Sequence, residues 1–395
     1  MPDFTQIHNI DDFKRQARGY LPRPIFDWIE GGAEGEVSLA NNRTVFDRVR
    51  FKPRTLVDMT ERSQKIELFG KPMSSPFAIA PMGNLSLFWP NAEVVMAQAA
   101  VAAGVPFVLS TASAVSMETV AESAPGGRLW FQLYVFKDKK VNHSLVERAA
   151  AAGYEALMIT TDTHMFPKRE RDRRNGIGLN LKKTPKNIAA VMARPRWLWD
   201  VVFSRPMPKL ANLEREVTGE TTYEALANYF LTQRHPGFDL DDLKRLRDQW
   251  KGKLLVKGIL NVEDALRAIE IGVDGIILSN HGGRNLEGSA APFEVLPEIV
   301  DGVGGRMPVL LDSGFRRGTD IVKALAIGAK AVLLGRPAAY AVAGGGKAGV
   351  SHMLATMKDE VDRVQGFMGC RTLDELGRDL LLFDQHRPGA NATMI

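Results

Sequence analysis

Between residues 76 and 334 the chain alternates eight short apolar runs with stretches of helical spacing. The runs occupy 76–80, 106–110, 130–135, 156–160, 253–257, 275–279, 308–312 and 331–334. Most are apolar throughout rather than on alternate residues, which marks strands buried on both faces, and such strands form parallel sheets covered by helices. Helix punctuation supports the alternation. Asn261 with Asp264 opens a helix over 262–271, and the segment 95–103 runs into Gly104. Eight such units favour a closed (β/α)8 TIM barrel over a doubly wound sheet, the other architecture open to parallel strands. The expected fold is α/β, a single domain with its barrel over 76–366. An extension over 1–72, helices and a short hairpin, is expected to cover the bottom or side, and a tail follows over 367–395.

The repeat is broken between runs four and five. Residues 164–238 far exceed an ordinary connection, so they should form a lid or an interaction segment. The net charge is only +5, yet Lys168, Arg169, Arg171, Arg173, Arg174, Lys182, Lys183, Lys186, Arg194, Arg196 and Arg205 gather there. Basic residues beside Trp197, Trp199 and Phe203 fit a peripheral membrane contact through 182–209, and equally a lid packing its aromatics on the barrel mouth. Basic residues elsewhere are dispersed, and no nucleic-acid partner is expected. No apolar run reaches membrane-spanning length, and the start at Met1 lacks a signal-peptide pattern. The single cysteine, Cys370, cannot form an internal disulfide and reads as a small buried hydrophobe. These features point to a cytoplasmic protein.

Three familiar signals are missing. The histidines have no metal-ligand spacing, so no metal is expected. No Gly-x-Gly-x-x-Gly follows a strand, which argues against a nicotinamide cofactor. Gly344-Gly345-Gly346-Lys347 is followed by Ala348 where a phosphate loop needs a hydroxyl, so it reads as a helix-helix connection.

In a barrel, residues just past the strand C-termini share one mouth, where active sites lie. Reading those ends in order gives Pro81, Met82 and Gly83; Ser110, Thr111 and Ala112; Gln132 and Tyr134; Thr160, Asp162 and, further on, Arg169; Lys257; Ser279, His281 and Arg284; Asp312, Ser313, Gly314 and Arg316; then Gly335 and Arg336. The last two ends occupy the usual phosphate position of such barrels, and Gly314, Arg316, Gly335 and Arg336 suit a doubly charged anion. A phosphate there leaves the centre of the mouth free, as the tail of a cofactor would. Lys257 closes an apolar strand and needs a negative partner. A flavin gaining charge on reduction is one partner; an imine-forming lysine is the other reading. Asp162, His281, Arg284 and Arg169 together favour the first: a carboxylate to orient an imidazole, and two guanidiniums for a carboxylate substrate.

The chain resembles the FMN-dependent L-2-hydroxy-acid dehydrogenase and oxidase family. The likeness runs from Leu21-Pro22 and Glu30-Gly31-Gly32-Ala33-Glu34 through Phe131-Gln132-Leu133-Tyr134-Val135, 160–162, Leu255-Val256-Lys257-Gly258, 279–284 and 312–318 to Gly335-Arg336. Trp197-Leu198-Trp199-Asp200 and 207–212 look most like its mandelate and lactate dehydrogenase branches. The resemblance implies FMN as cofactor, a 2-hydroxy acid as substrate, a quinone or other electron acceptor, a homotetramer, and attachment to the inner face of the cell membrane through the insert. It implies His281 as base with Asp162 stabilising the imidazolium, Arg284 and Arg169 on the carboxylate, and Tyr134 near the substrate hydroxyl. Lys257 would stabilise reduced FMN. Gln132, Thr160 and Ser110 would bond the isoalloxazine edge, the backbone of Pro81, Met82 and Gly83 would lie near flavin N5, and Ser279 near the flavin or ribityl chain. Asp312, Ser313, Gly314, Arg316, Gly335 and Arg336 would complete the cofactor site. Loss of the α-hydrogen as a proton or as a hydride both fit these residues.

Departures from the family bear on the substrate. The segment Phe26-Asp27-Trp28 places an indole where the family usually has a carboxylate-binding tyrosine, so Trp28 becomes a substrate-selecting position. Met82 replaces a small hydroxylated residue, and Gly83 with Ala112 are small enough to suggest room for a bulky, mandelate-like substrate. An oxygen-using oxidase, an L-lactate dehydrogenase, an FMN-dependent isomerase and a flavoprotein that only binds are the competing readings.

Overall fold

The computed structural model describes residues 4–178, 181–204, 208–217 and 219–384. Arg205 and residues 206–207 of the expected membrane segment, residues 1–3, and residues 385–395 of the tail lie outside them. Eight parallel strands close into a barrel in chain order: β4 (Phe77–Ile79), β5 (Phe107–Ser110), β6 (Leu129–Leu133), β7 (Ala156–Thr160), β8 (Lys253–Ile259), β9 (Gly275–Leu278), β10 (Val309–Leu311) and β11 (Ala331–Leu334). Before them come β1 (Val49–Phe51) and the antiparallel hairpin of β2 (Ile66–Leu68) with β3 (Lys71–Met73); β12 (Leu381–Phe383) pairs antiparallel with β1. The chain thus has the TIM-barrel architecture expected of it. Tyr134 stands just beyond β6 rather than within it.

Helix ends follow the sequence signals. Asn261 accepts from the N–H of Asp264 to start Val262–Ile271, and Gly104 ends Ala92–Ala103 with φ of +66°. Gly346 breaks the long segment Arg336–Phe367 with φ of 55°, as a helix-helix connection should. A Cβ on neighbouring Gly344 or Gly345 would stand 2.6 Å from the Gln16 amide oxygen or the Phe4 ring, respectively.

Side chains alternate along each strand, and because helices cover the outside, both faces are apolar. The inward set includes Ala78, Val108, Trp130, Met158, Leu255, Ile277, Leu310 and Leu333, all buried in one cluster. Leu68 and Met73 of the β2–β3 hairpin join that cluster and close the barrel's floor. Two residues further along the same strands, the period-two rule brings Ser110, Gln132, Thr160, Lys257, Ser279, Asp312 and Gly335 to the mouth.

The extension does more than the expected covering of bottom or side. Its hairpin seals the floor, but after α1 (Ile10–Tyr20) the helices α2 (Arg23–Glu30) and α3 (Val37–Thr44) reach the opposite end, where the last carbonyls of α2 and the side chain of Asn42 meet the loop after β9. The insert is packed against both. Trp197 is buried and donates to the Leu87 carbonyl at 2.8 Å, Arg194 donates to the Leu21 carbonyl, and Asn212 bridges Met117 and the Ser110 carbonyl. Its two tryptophans divide: Trp197 packs inward as a lid would, whereas Trp199 points out and is 65% exposed.

Candidate active site

The turn after β9 carries the centre of the site. His281 adopts a left-handed φ of 57°, uncommon for a side-chain-bearing residue and held here by its surroundings. Its own N–H donates to Ser279 Oγ at 3.0 Å, the N–H of Gly282 donates to Ser313 Oγ at 3.0 Å, and that of Gly283 to Asn280 Oδ1 at 3.0 Å. Asn280 exchanges two amide hydrogen bonds with Asn42, at 2.9 and 2.8 Å, which fastens α3 to the turn. Gly283 has no room for a side chain, since a Cβ would stand 2.5 Å from the N of Leu39.

The turn aims the imidazole between two partners. His281 Nδ1 lies 3.1 and 3.2 Å from the oxygens of Asp162, and Nε2 lies 3.4 Å from the Tyr134 hydroxyl. Gly258 allows this, because a Cβ there would stand 2.7 Å from that of Asp162. Burial pushes the His281 pKa down; Asp162 opposes the shift and Lys257 adds to it. Burial alone would raise the Asp162 pKa, but His281 and Lys257 together hold its carboxyl below the usual range. The pair therefore rests as a neutral imidazole and a carboxylate, with the hydrogen on Nδ1 and the Nε2 lone pair facing Tyr134. Burial raises the Tyr134 pKa, so its hydroxyl stays a donor.

Lys257 is buried within β8, two residues before the strand ends at Ile259 rather than closing it, and lies 2.7 Å from Ser279 Oγ and 3.2 Å from Asp312 Oδ2. Burial works against its charge, but Asp312 and Asp162 more than compensate and raise its pKa. In the protein itself the negative partner of Lys257 is therefore Asp312, which also accepts from Ser313 at 2.8 Å. Beside Lys257 runs a chain of buried polar groups: Ser110 donates to Gln132 Oε1 at 2.9 Å, and Gln132 Nε2 donates to Thr160 at 2.9 Å.

Arg284 and Arg169 stand on the other side. Arg284 gives one nitrogen to the carbonyls of Trp28 and Gly31, each at 2.7 Å, and Arg169 Nε donates to the Arg284 carbonyl at 3.3 Å. Burial, reinforced by Arg169 and Arg336, pulls the Arg284 pKa well below its ordinary value. Arg169 and Arg336 are likewise lowered by burial. A guanidinium does not lose its proton in a protein, so these shifts express the cost of crowded buried cations, a cost that an anion would relieve.

Some positions do something other than expected. The guanidinium of Arg336 is spent on the carbonyls of Ile29, Gly31 and Gly282, at 2.9 to 3.0 Å, completing the C-terminus of α2. What this position offers a phosphate is the start of the helix at Arg336. Arg316 donates one nitrogen to its neighbour's carbonyl and lies over the Tyr340 ring, leaving other N–H groups available. Gly314 is demanded by contact, since a Cβ would stand 1.9 Å from the Asn42 carbonyl oxygen. Gly83 and Ala112 face each other, a Cβ on the first falling 2.9 Å from that of the second. Their small size therefore serves the approach of two loops, and the inference of extra room from them does not hold. The Trp28 ring meets Phe88 edge-on at 5.6 Å.

Comparison with known proteins agrees with this geometry. The sequence pattern of the FMN-dependent dehydrogenases matches residues 17–382. The chain belongs to that family. It is accordingly an FMN-dependent oxidoreductase. It is 43% identical to (S)-mandelate dehydrogenase of Pseudomonas putida over 375 residues, 95% of this chain and 94% of that one. It is 40% identical to an L-lactate oxidase of a Nostoc species over 94% of this chain and 97% of the other. A crystal structure of the monotopic membrane protein (S)-mandelate dehydrogenase superposes with a TM-score of 0.92 at 42% identity, covering 96% and 100% of the two chains.

FMN suits the residues present. Uncharged donors and acceptors of the Ser110, Gln132 and Thr160 chain suit a heteroaromatic edge, and Lys257 suits a ring that becomes anionic. An ideal Cβ on Gly335 meets only Ala80 at 3.8 Å and Met82 at 4.0 Å, so space is kept beside the helix start where a phosphate would lie. Sequence reading missed Asn42, Asn280, Asp172 and Arg234. Asp172 is buried beside Arg284 and Arg169, and burial raises its pKa. Only Asn280 carried a signal, its place beside His281.

Proposed function

We propose that the protein oxidises an aromatic L-2-hydroxy acid of the mandelate type to its 2-keto acid and delivers the electrons to a quinone. The observation that carries this reading is His281, held by Asp162 on one nitrogen and presenting the other beside Tyr134. Arg169 and Arg284 would bind the substrate carboxylate, fixing the 2-hydroxyl toward Tyr134 and His281. His281 Nε2 would take the proton, and the Asp162 carboxylate would stabilise the imidazolium. Bound FMN would supply the two-electron acceptor. Ser110, Gln132, Thr160, Ser279 and the backbone of Pro81, Met82 and Gly83 would hold its ring, with Lys257 offsetting charge that develops there. Gly314, Arg316, Gly335 and Arg336 would frame its phosphate, and Asp312 and Ser313 would complete the cofactor site. Similarity to a mandelate dehydrogenase supports the aromatic substrate.

The test is anaerobic addition of (S)-mandelate, L-lactate and glycolate with the flavin absorbance followed. Mandelate should bleach it, with kcat/KM about tenfold or more above glycolate, the scale on which an apolar pocket discriminates. Equal values would defeat the aromatic assignment, and no bleaching by any of the three would defeat the reading. Likeness to an L-lactate oxidase sustains a second reading, with oxygen as acceptor, and fast reoxidation of the reduced flavin by oxygen would favour it.

Peripheral membrane attachment is part of the same proposal. Among the described residues no helix is long and apolar enough to cross a membrane. The insert nevertheless exposes Ile188, Met192, Trp199 and Phe203, at 52 to 67%, beside exposed Lys182, Lys183, Lys186 and Arg196. Apolar side chains flanked by cations suit an anionic bilayer surface. The wild type should float with anionic vesicles, and a Trp199→Ser, Phe203→Ser double variant should not. A wild type that stays in solution would overturn the attachment.

A further inference from the structure

Arg234 stands apart from the other partly buried arginines. Just after the helix Tyr223–Thr232, its segment is sewn to the chain leaving β6: Lys137 N donates to the Gln233 carbonyl and His235 N to the Val135 carbonyl, both at 2.8 Å. Because β6 also delivers Tyr134, this backbone pairing fixes Arg234 relative to the reacting centre. The guanidinium lies 5.8 Å from the centre of the Tyr134 ring, 5.7 Å from Phe230 and 4.9 Å from Phe166. Its Nε is buried without a hydrogen-bond partner, and among the described residues no carbonyl or carboxylate accepts from the group.

That arrangement is unusual within this chain. Arg247, Arg284, Arg336 and Arg378, all partly buried as well, find carbonyl acceptors. Rings can attract a cation through their faces, but they leave the buried Nε–H of Arg234 unsatisfied. Lys257 has Asp312, and Arg169 with Arg284 feel Asp172 and face the expected substrate carboxylate. The Asp162 carboxylate, hydrogen-bonded to the neutral His281, acts on Arg234 through space without accepting a hydrogen bond from it. Arg234 thus has no acceptor of its own beside a small cleft of about 20 Å³, which it lines together with Tyr134, Thr160, His164 and His235. Burial and its proximity to Arg169 and Asp162 place it in the same electrostatic field as the reacting groups.

We infer that Arg234 selects the substrate by binding a second carboxylate on its side chain, so that the preferred substrate is a 2-hydroxy acid with an acidic group at the end remote from the reacting carbon. The inference rests on the reading of this centre as a 2-hydroxy-acid oxidising site. A carboxylate would give the planar guanidinium two acceptors, and the three rings would exclude water from the pair. Phe166, on the loop that follows β7, would close over the bound group through its contact with Arg234.

The experiment compares holoenzyme reduction by mandelate, by 3- and 4-carboxymandelate, and by 3- and 4-methylmandelate, which carry apolar groups at the same ring positions. In the wild type the better carboxylated compound should exceed its methyl counterpart in kcat/KM by about tenfold to a hundredfold, the range of a charged hydrogen-bonded contact, and mainly through KM. Arg234→Met, which keeps bulk over the rings, should abolish or reverse that ratio, and Arg234→Lys should keep part of it. Equal use of carboxylated and methylated substrates by a wild type that still oxidises mandelate would overturn the inference and leave the proposed function standing. Flavin reduction by none of the compounds would instead bring down the proposed function, and the inference with it.

Discussion

The two ends of the barrel are built from the same eight strands and differ in almost everything else. At the floor, Trp130, Met158 and Leu255 meet Leu68 and Met73 of a hairpin from the extension, and the packing is apolar. At the mouth, two residues further along β6, β7 and β8, stand Gln132, Thr160 and Lys257, equally buried but polar. The floor is held by apolar area removed from water, and each side chain there is replaceable by others of similar volume. The mouth is held by specific pairings, many of them between a side chain and a distant backbone carbonyl, as with Arg284 and Arg336 on the end of α2. Folding stability should therefore concentrate at one end and chemistry at the other, as positive φ at His281 and Ser313 already suggests.

Paired substitutions put the largest strain on that contrast. His281→Asn should lower kcat/KM by about a hundredfold to ten-thousandfold, the usual worth of a positioned general base, with little change in the denaturation midpoint. Trp130→Ala should do the reverse, costing about 3–5 kcal/mol of stability for a large buried ring while the folded fraction keeps kcat/KM within a few-fold of wild type. Denaturant unfolding and steady-state kinetics on both variants would check this. A Trp130→Ala enzyme that is stable but inactive, or a His281→Asn protein that unfolds readily, would show that the two ends are coupled.

The barrel was legible in the sequence because burial on both faces makes each strand apolar throughout, a signal that depends on no distant partner. The identity of the mouth was legible for the related reason that polar residues at strand ends have no business in a core. Asp162, His281 and Tyr134 could be proposed from their places alone, and they do converge. The position of the extension could not. Its contact with the mouth runs through main-chain carbonyls of α2, which any sequence possesses, and through an Asn42–Asn280 pair separated by 238 positions. Gly83 and Ala112 misled because small side chains can equally mean a cavity or a close approach, and only the geometry distinguishes them. Arg234 carried no pattern, since its place depends on backbone pairing with the segment after β6.

The smallest effect concerns how the mouth controls its own base. Burial lowers the His281 pKa from its ordinary 6.5, and Asp162 acts in the opposite direction. Because the neutral imidazole is the active form, kcat/KM should fall as pH drops through that lowered value, so the acid limb should lie below pH 6.5 and activity should be flat just above it. Asp162→Asn removes the group that raises the pKa, so its acid limb should move lower still, even though the overall rate falls because the imidazolium formed in the reaction loses its counter-charge. A purely structural Asp162 would lower activity without moving the limb. An acid limb above 6.5 in the wild type would mean that Asp162 outweighs burial, and the mouth would then be wetter than the packing around His281 implies.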